Sequence, residues 1–185
     1  GVGSIFKLVT AAAALEQGIS PEYSYICTGS VDVNGQIFNC HKWGGHGEID
    51  METAMVKSCN TYFIALSEYL DKEDYIETAK TLGFGEEIPI CGDIVSASGT
   101  LQTVRDIEVA AERANMSFGQ GKLTATPVQI CRMTAAIANG GVMNQPSLIK
   151  GIRADDGTVE YSEITAGKRV LSYETVKLLK RFMYY

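Results

Sequence analysis

Apolar positions are densest near the start of the chain. Over residues 5–15 only Lys7 and Thr10 are polar, a pattern with no polar face, which predicts a helix buried on all sides and central to its domain. Glu16-Gln17-Gly18 follows, with Gly18 placed to close that helix in the left-handed conformation. The period then changes. Ser30-Val31-Asp32-Val33, a turn at Asn34-Gly35 and Gln36-Ile37-Phe38 predict a β-hairpin, because Asn-Gly supplies the positive φ angles a two-residue turn requires. Asp50 is placed to cap a short helix over 51–57, and Tyr62, Phe63, Leu66 and Leu70 mark an amphipathic helix over 61–70.

Asp71 starts a further helix that Gly83 stops, and residues 86–99 read as loop. Thr103 and Asp106 have capping-box spacing for one helix over 104–115. Thr126-Pro127-Val128-Gln129 sets N-cap, N1 proline and N3 glutamine in order for a helix to 139, apolar on most sides and ended by Gly140-Gly141. Residues 147–153 and 158–161 predict a second hairpin around Asp155-Asp156-Gly157, and Ser172 caps a last helix that runs to Tyr185. The expected fold is mainly α with two small β-hairpins.

The 185 residues suit one domain with a real core. A net charge of -6 and the lack of any basic cluster argue against nucleic acid as a partner. Only the last helix, with Lys177, Lys180 and Arg181, is locally basic. No stretch reaches the roughly 18 uninterrupted apolar residues that span a bilayer. The chain opens on Gly1-Val2 without a Met and closes on Tyr184-Tyr185 inside a helical pattern, so both ends read as cut. Gly119-Gln120-Gly121 lacks the length and the lysine-serine ending of a phosphate loop, which excludes nucleotide binding there.

Five cysteines leave at least one unpaired. Cys59 and Cys131 sit in helical, apolar surroundings and are expected as buried thiols. Cys27 and Cys40 flank the first hairpin and could pair across it. Together with His41 and His46 they also form a loosely zinc-like C-x12-C-H-x4-H order. That spacing matches no common zinc module, and the glycines around His46 read more simply as a tight loop against the next helix. No metal and no cofactor are expected.

The chemistry centres on Ser4 and Lys7. Three apart on a helix, their side chains stack on one face, so a lysine amine held neutral by desolvation can take the serine proton. The bland alternative is a capping serine near a surface lysine. Ser58-Cys59-Asn60 lies between two helical stretches. Its serine and asparagine are either helix-break caps or a proton relay at Ser58 and an amide at Asn60 that holds Lys7 and substrate.

Ser4-Ile5-Phe6-Lys7, Ser58-Cys59-Asn60, and Gly119-Gln120-Gly121 leading into Thr126-Pro127-Val128-Gln129 together resemble the transpeptidase domain of bacterial penicillin-binding proteins, marked by S-x-x-K, S-x-N and K-T-G. His46-Gly47 and Ala135-Ala136-Ile137-Ala138-Asn139-Gly140-Gly141 are similar to the monofunctional, class B branch. The resemblance implies the helical part of the α/β β-lactamase/transpeptidase-like fold, with most of the central sheet absent from this chain. It implies Ser4 as acylated nucleophile, Lys7 as base, Ser58 as proton relay and Asn60 as a substrate-binding amide. Substrates would be D-Ala-D-Ala stem peptides of peptidoglycan, with β-lactam antibiotics as mimics that acylate Ser4. The parent would be anchored at the extracytoplasmic face of the bacterial membrane with the cell-wall synthesis machinery.

The chain departs from the pattern in places. Val2 replaces a usual proline and Ile5 a usual threonine. No K-T-G occurs: Ala166-Gly167-Lys168-Arg169 resembles its lead-in, but Arg169 stands at the threonine position and a helix is expected to follow. Residues 1–185 therefore read as a partial transpeptidase domain lacking its N-terminal strands and its K-T-G strand. That strand would carry the second oxyanion donor, and losing one such donor costs about 100- to 1000-fold in rate, so this piece alone is expected to be weakly active or inactive. The alternatives are a non-catalytic β-lactam sensor and a serine β-lactamase. The nearest approach to the latter's E-x-x-L-N loop is Glu112-Arg113-Ala114-Asn115, which lacks the leucine and lies in a predicted helix.

Overall fold

The computed structural model describes residues 1–162 and 166–184. Tyr185, which the sequence pattern includes in the last helix, lies outside the described residues. In chain order come α1 (Lys7–Glu16), β1 (Tyr25–Cys27), β2 (Ser30–Val33), β3 (Gln36–Asn39) and β4 (Gly47–Ile49). Next are α2 (Met51–Val56), α3 (Asn60–Ser67), α4 (Lys72–Thr81), β5 (Pro89–Cys91), β6 (Ile94–Val95), α5 (Val104–Glu108) and α6 (Ala110–Ser117). The chain continues through α7 (Pro127–Ala138), β7 (Val142–Met143), β8 (Gly151–Arg153), β9 (Val159–Tyr161), β10 (Lys168–Arg169) and α8 (Tyr173–Tyr184).

The architecture is mainly helical, 41% helix against 17% strand. Its axis is α1, on which every residue from Lys7 to Ala14 is buried. The alanines explain how it fits. Ala11, Ala12, Ala13 and Ala14 are each 0% exposed, and side chains this small let α2, α3, α4 and α8 pack closely around one helix. Gly18 ends α1 at φ 81°, where a β-carbon would be strained. Thr10 is held at the centre: its hydroxyl donates to the Ser117 carbonyl at 2.9 Å and meets the Tyr75 hydroxyl at 2.8 Å.

Both predicted hairpins form. In the first, β2 pairs with β3 in the register Val33↔Gln36, with Asn34 at φ 53° and Gly35 at φ 87°. In the second, β8 pairs with β9. Residues 86–99, read as loop, contain a third hairpin of β5 and β6, too short to show an alternation in sequence. Two more antiparallel pairs join distant segments, β1 with β4 and β7 with β10. The helix expected after Lys168-Arg169 starts at Tyr173, and the Thr175 N–H donates to the Ser172 hydroxyl at 3.2 Å as a cap. Lys168 and Arg169 themselves form β10, a strand the sequence pattern did not show.

The single helix expected over 104–115 is two. Val109 adopts extended backbone, ψ 115°, between α5 and α6; without a Gly or Pro to mark it, the break has no sequence signal. The Thr103–Asp106 capping box is present, as is the one at Thr126 and Gln129. On α7, Gln129, Met133, Ala136 and Ile137 are the buried residues, which is one face rather than most sides. Cys131 lies off that face and is exposed, contrary to the buried thiol expected.

Candidate active site

Ser4 stands on a 3-10 turn, Gly3–Phe6, that leads into α1. Gly3, at φ 65°, donates its N–H to the Gly119 carbonyl at 2.8 Å. Gly119 itself is at φ 80°, and a β-carbon on it would overlap the Gly3 backbone. The Gly119-Gln120-Gly121 block therefore buttresses the turn that carries Ser4. Ser4 is exposed, whereas Lys7, one turn on, is 1% exposed. The capping alternative does not hold, because the turn is capped by Val2 with no side-chain cap bond.

Four oxygens surround the Lys7 amine. Nζ lies 2.7 Å from the Ser58 carbonyl, 2.7 Å from Asn60 Oδ1, 2.9 Å from Ser58 Oγ and 3.2 Å from Ser4 Oγ. The carbonyl and the amide oxygen only accept. A neutral amine has two N–H groups for those two acceptors and one lone pair left for a hydroxyl proton. Ser58 Oγ and Ser4 Oγ are 2.8 Å apart, so a proton can pass from Ser4 to Lys7 directly or through Ser58.

Burial favours that neutral form. It is the largest influence on Lys7 and brings its pKa from 10.5 to about 8, while the neighbouring thiols of Cys59 and Cys40 act in the opposite sense. Among the described residues no carboxylate forms an ion pair with Lys7. Local geometry aims the other groups. Ser58 turns the chain between α2 and α3 at φ 48°, a left-handed conformation that costs an L-residue roughly 1–2 kcal/mol. Asn60 Nδ2 donates to the Asn39 carbonyl at 3.2 Å, which leaves Oδ1 facing Lys7. The structure thus brings Ser4, Lys7, Ser58 and Asn60 into one cluster.

A second cluster lies beside the first. The sulfurs of Cys27, Cys40 and Cys59 and a ring nitrogen of His46 all fall within 4.8 Å of one another. The sequence grouped Cys27 and Cys40 with both histidines. The structure replaces His41, which is exposed, by Cys59. The expected tight loop is present as well: Gly45 is buried against the Cys27 carbonyl, with no room for a β-carbon. No disulfide forms, and Cys27 and Cys40 are free thiols. The spacing from His46 to Cys59 follows no known module, so sequence alone gave no reason to include Cys59.

Residues 2–185 match the family model described as penicillin binding protein transpeptidase domain. Stage V sporulation protein D of Bacillus subtilis is 33% identical over 185 residues, covering 96% of this chain and 28% of that protein. Peptidoglycan D,D-transpeptidase PbpA of Mycolicibacterium smegmatis is 26% identical over 187 residues, covering 98% of this chain and 37% of that protein. Penicillin binding protein 3 of Mycobacterium tuberculosis, solved with aztreonam, aligns with a TM-score of 0.81 at 28% identity, covering 97% of this chain and 40% of that one. The chain thus spans well under half the length of these relatives.

Proposed function

The chain belongs to the penicillin-binding protein transpeptidase family, and from that premise we propose that it carries the acylation centre of a peptidoglycan D,D-transpeptidase. Ser4 Oγ attacks the carbonyl between the two terminal D-alanines of a stem peptide, and its proton passes to Lys7. The carbon–nitrogen bond breaks. The leaving D-alanine amine takes a proton through Ser58, and Ser4 is left as an acyl ester. An amine of a neighbouring strand then attacks the ester, forms the new amide and returns the proton to Ser4. The Ser4 backbone N–H serves as one oxyanion donor, and Asn60 binds the donor peptide's amide.

The observation that carries this reading is the buried Lys7 amine, 3.2 Å from an exposed serine hydroxyl with no anionic partner among the described residues. A neutral amine so placed is a base in wait. Penicillin binding protein 3 of Mycobacterium tuberculosis has been solved in complex with aztreonam, which supports β-lactams as substrate mimics here. Against hydrolysis, Glu112 lies on α6, and among the described residues no carboxylate hydrogen-bonds to Ser4, Lys7, Ser58 or Asn60.

No K-T-G triad occurs in these 185 residues, so the second oxyanion donor and the groups for the substrate carboxylate are assigned to sequence outside them. These residues are on this reading the helical part of a larger transpeptidase domain. Such chemistry belongs on the extracytoplasmic face of a bacterial membrane, among the cell-wall synthesis proteins. Intact-mass measurement of the full-length protein with penicillin tests the proposal. One adduct, absent in Ser4→Ala and persistent for hours, is expected. An adduct that survives Ser4→Ala places the nucleophile elsewhere, and rapid loss of the adduct indicates a β-lactamase.

A further inference from the structure

The cluster of three cysteines and one histidine has the dimensions of a metal site. A tetrahedral zinc has Zn–S bonds of about 2.3 Å and Zn–N bonds of about 2.0–2.1 Å, so its ligands stand about 3.8 Å apart for two sulfurs and about 3.5–3.6 Å for sulfur and nitrogen. Cys40 Sγ lies 3.8 Å from Cys59 Sγ, and His46 Nδ1 lies 3.6 Å from Cys27 Sγ and 3.5 Å from Cys40 Sγ. Three of the six edges of the tetrahedron are therefore already at coordination length.

The fold builds this arrangement from four separate segments. Cys27 ends β1 and pairs with Gly47 in β4, which sets His46 beside it. Cys40 follows β3 and is held by its N–H to the Gly29 carbonyl at 2.8 Å. Cys59 precedes α3. Cys27, Cys40 and Cys59 are all buried. The Thr61 hydroxyl, 0% exposed, donates to Cys27 Sγ at 3.1 Å, the kind of outer contact that orients a ligating thiolate.

We propose that Cys27, Cys40, His46 and Cys59 bind one zinc-type divalent cation in a closed, structural site that fixes the Ser58-Cys59-Asn60 segment. Three thiolates and an imidazole select zinc over hard cations such as magnesium or calcium. All four positions come from protein, so no water is activated there. On binding, three thiols release their protons to solvent, and the dication with three thiolates leaves one net negative charge. Cys59 lies between Ser58 and Asn60, so its bond to the metal clamps both neighbours of Lys7 in place. The cation site stands independently of the acyl-transfer reading; its effect on catalysis rests on it.

The test uses the full-length protein purified with its thiols reduced. One zinc per chain is expected by atomic emission, and cobalt(II) in its place gives the visible absorption of a tetrahedral cobalt thiolate. Cys27→Ser and His46→Ala each lose the bound metal. Thr61→Val keeps the metal but binds zinc about 10- to 100-fold more weakly in competition with a chromophoric chelator. If the ligand variants fail to fold, the cobalt spectrum of the unsubstituted protein decides. A metal-free protein that gives no tetrahedral cobalt spectrum, or one isolated with a Cys40–Cys59 disulfide, overturns the proposal. Ser4→Ala separates the two readings, because it removes the penicillin adduct and leaves the zinc in place.

Discussion

The N–H of Gly3 donates to the carbonyl of Gly119 at 2.8 Å, and this bond joins the turn carrying Ser4 to a block over a hundred residues away. Gly3, at φ 65°, has open space around it but holds a left-handed conformation that a β-carbon would strain. Gly119 is at φ 80°, and a β-carbon there would overlap the backbone of Gly3.

Gly119→Ala is therefore expected to disturb the Ser4 turn as well as the stability of the fold. The left-handed conformation alone costs alanine about 1–2 kcal/mol, and the overlap adds to it. In a chain of this size a loss of about 2 kcal/mol lowers Tm by roughly 4–8 °C. A thermal melt within a degree of the parent, with an unchanged acylation rate, would contradict the close approach.

Removing the base should slow acylation without removing the nucleophile. Lys7→Met replaces the buried amine by an apolar chain of similar length, and general-base catalysis of this kind is worth about 100- to 10,000-fold. The rate of penicillin adduct formation measures it. A rate within tenfold of the parent takes Lys7 out of the role.

Acylation should rise with pH as Lys7 loses its proton. Burial lowers the Lys7 pKa from 10.5 to about 8, so the adduct rate is expected to climb through about pH 8 and level off above it. Stability follows the same direction for this group. The folded chain gives up the proton at lower pH than the unfolded one, so between pH 8 and 10.5 the unfolded state holds more protons and the Lys7 contribution to stability rises with pH. An acylation rate that is flat across that rise would mean the amine is not the base.

Ser58 separates backbone from side-chain effects. Its φ is 48°, so Ser58→Ala keeps the strain and loses the hydroxyl, whereas Ser58→Gly loses both. Relief of about 1–2 kcal/mol of left-handed strain outweighs the roughly 0.5–1 kcal/mol of extra chain entropy that glycine brings. Ser58→Gly is thus expected to be about 0.5–1 kcal/mol more stable than Ser58→Ala in urea unfolding, and both should acylate more slowly than the parent. Equal stability of the two variants would argue that position 58 is unstrained.

Much of the fold was legible because its causes are local. The run without a polar face marked α1, Asn34-Gly35 marked the first hairpin, and the capping pairs at Thr103 and Thr126 marked two helix starts. Where the cause was not local, the pattern misled. Val109 interrupts a helix with no Gly or Pro to announce it. Cys131 looked buried because its neighbours are apolar, yet α7 buries a single face and leaves it outside. Strands of two or three residues, as in β5, β6, β7 and β10, are too short for a period of two to register.

By itself the sequence determined that a serine and a lysine stack one turn apart at the head of an apolar helix, since that follows from the 3.6-residue period of one segment. Whether the lysine is a base or a surface charge is a question of solvent, and solvent exclusion is made by other segments. The tertiary structure decided it by bringing the Ser58 carbonyl and the Asn60 amide, some fifty residues distant, onto the amine and burying it to 1% exposure. The same folding gathered Cys27, Cys40, His46 and Cys59. Desolvation and coordination both depend on distances through space, and spacing along the chain does not encode them.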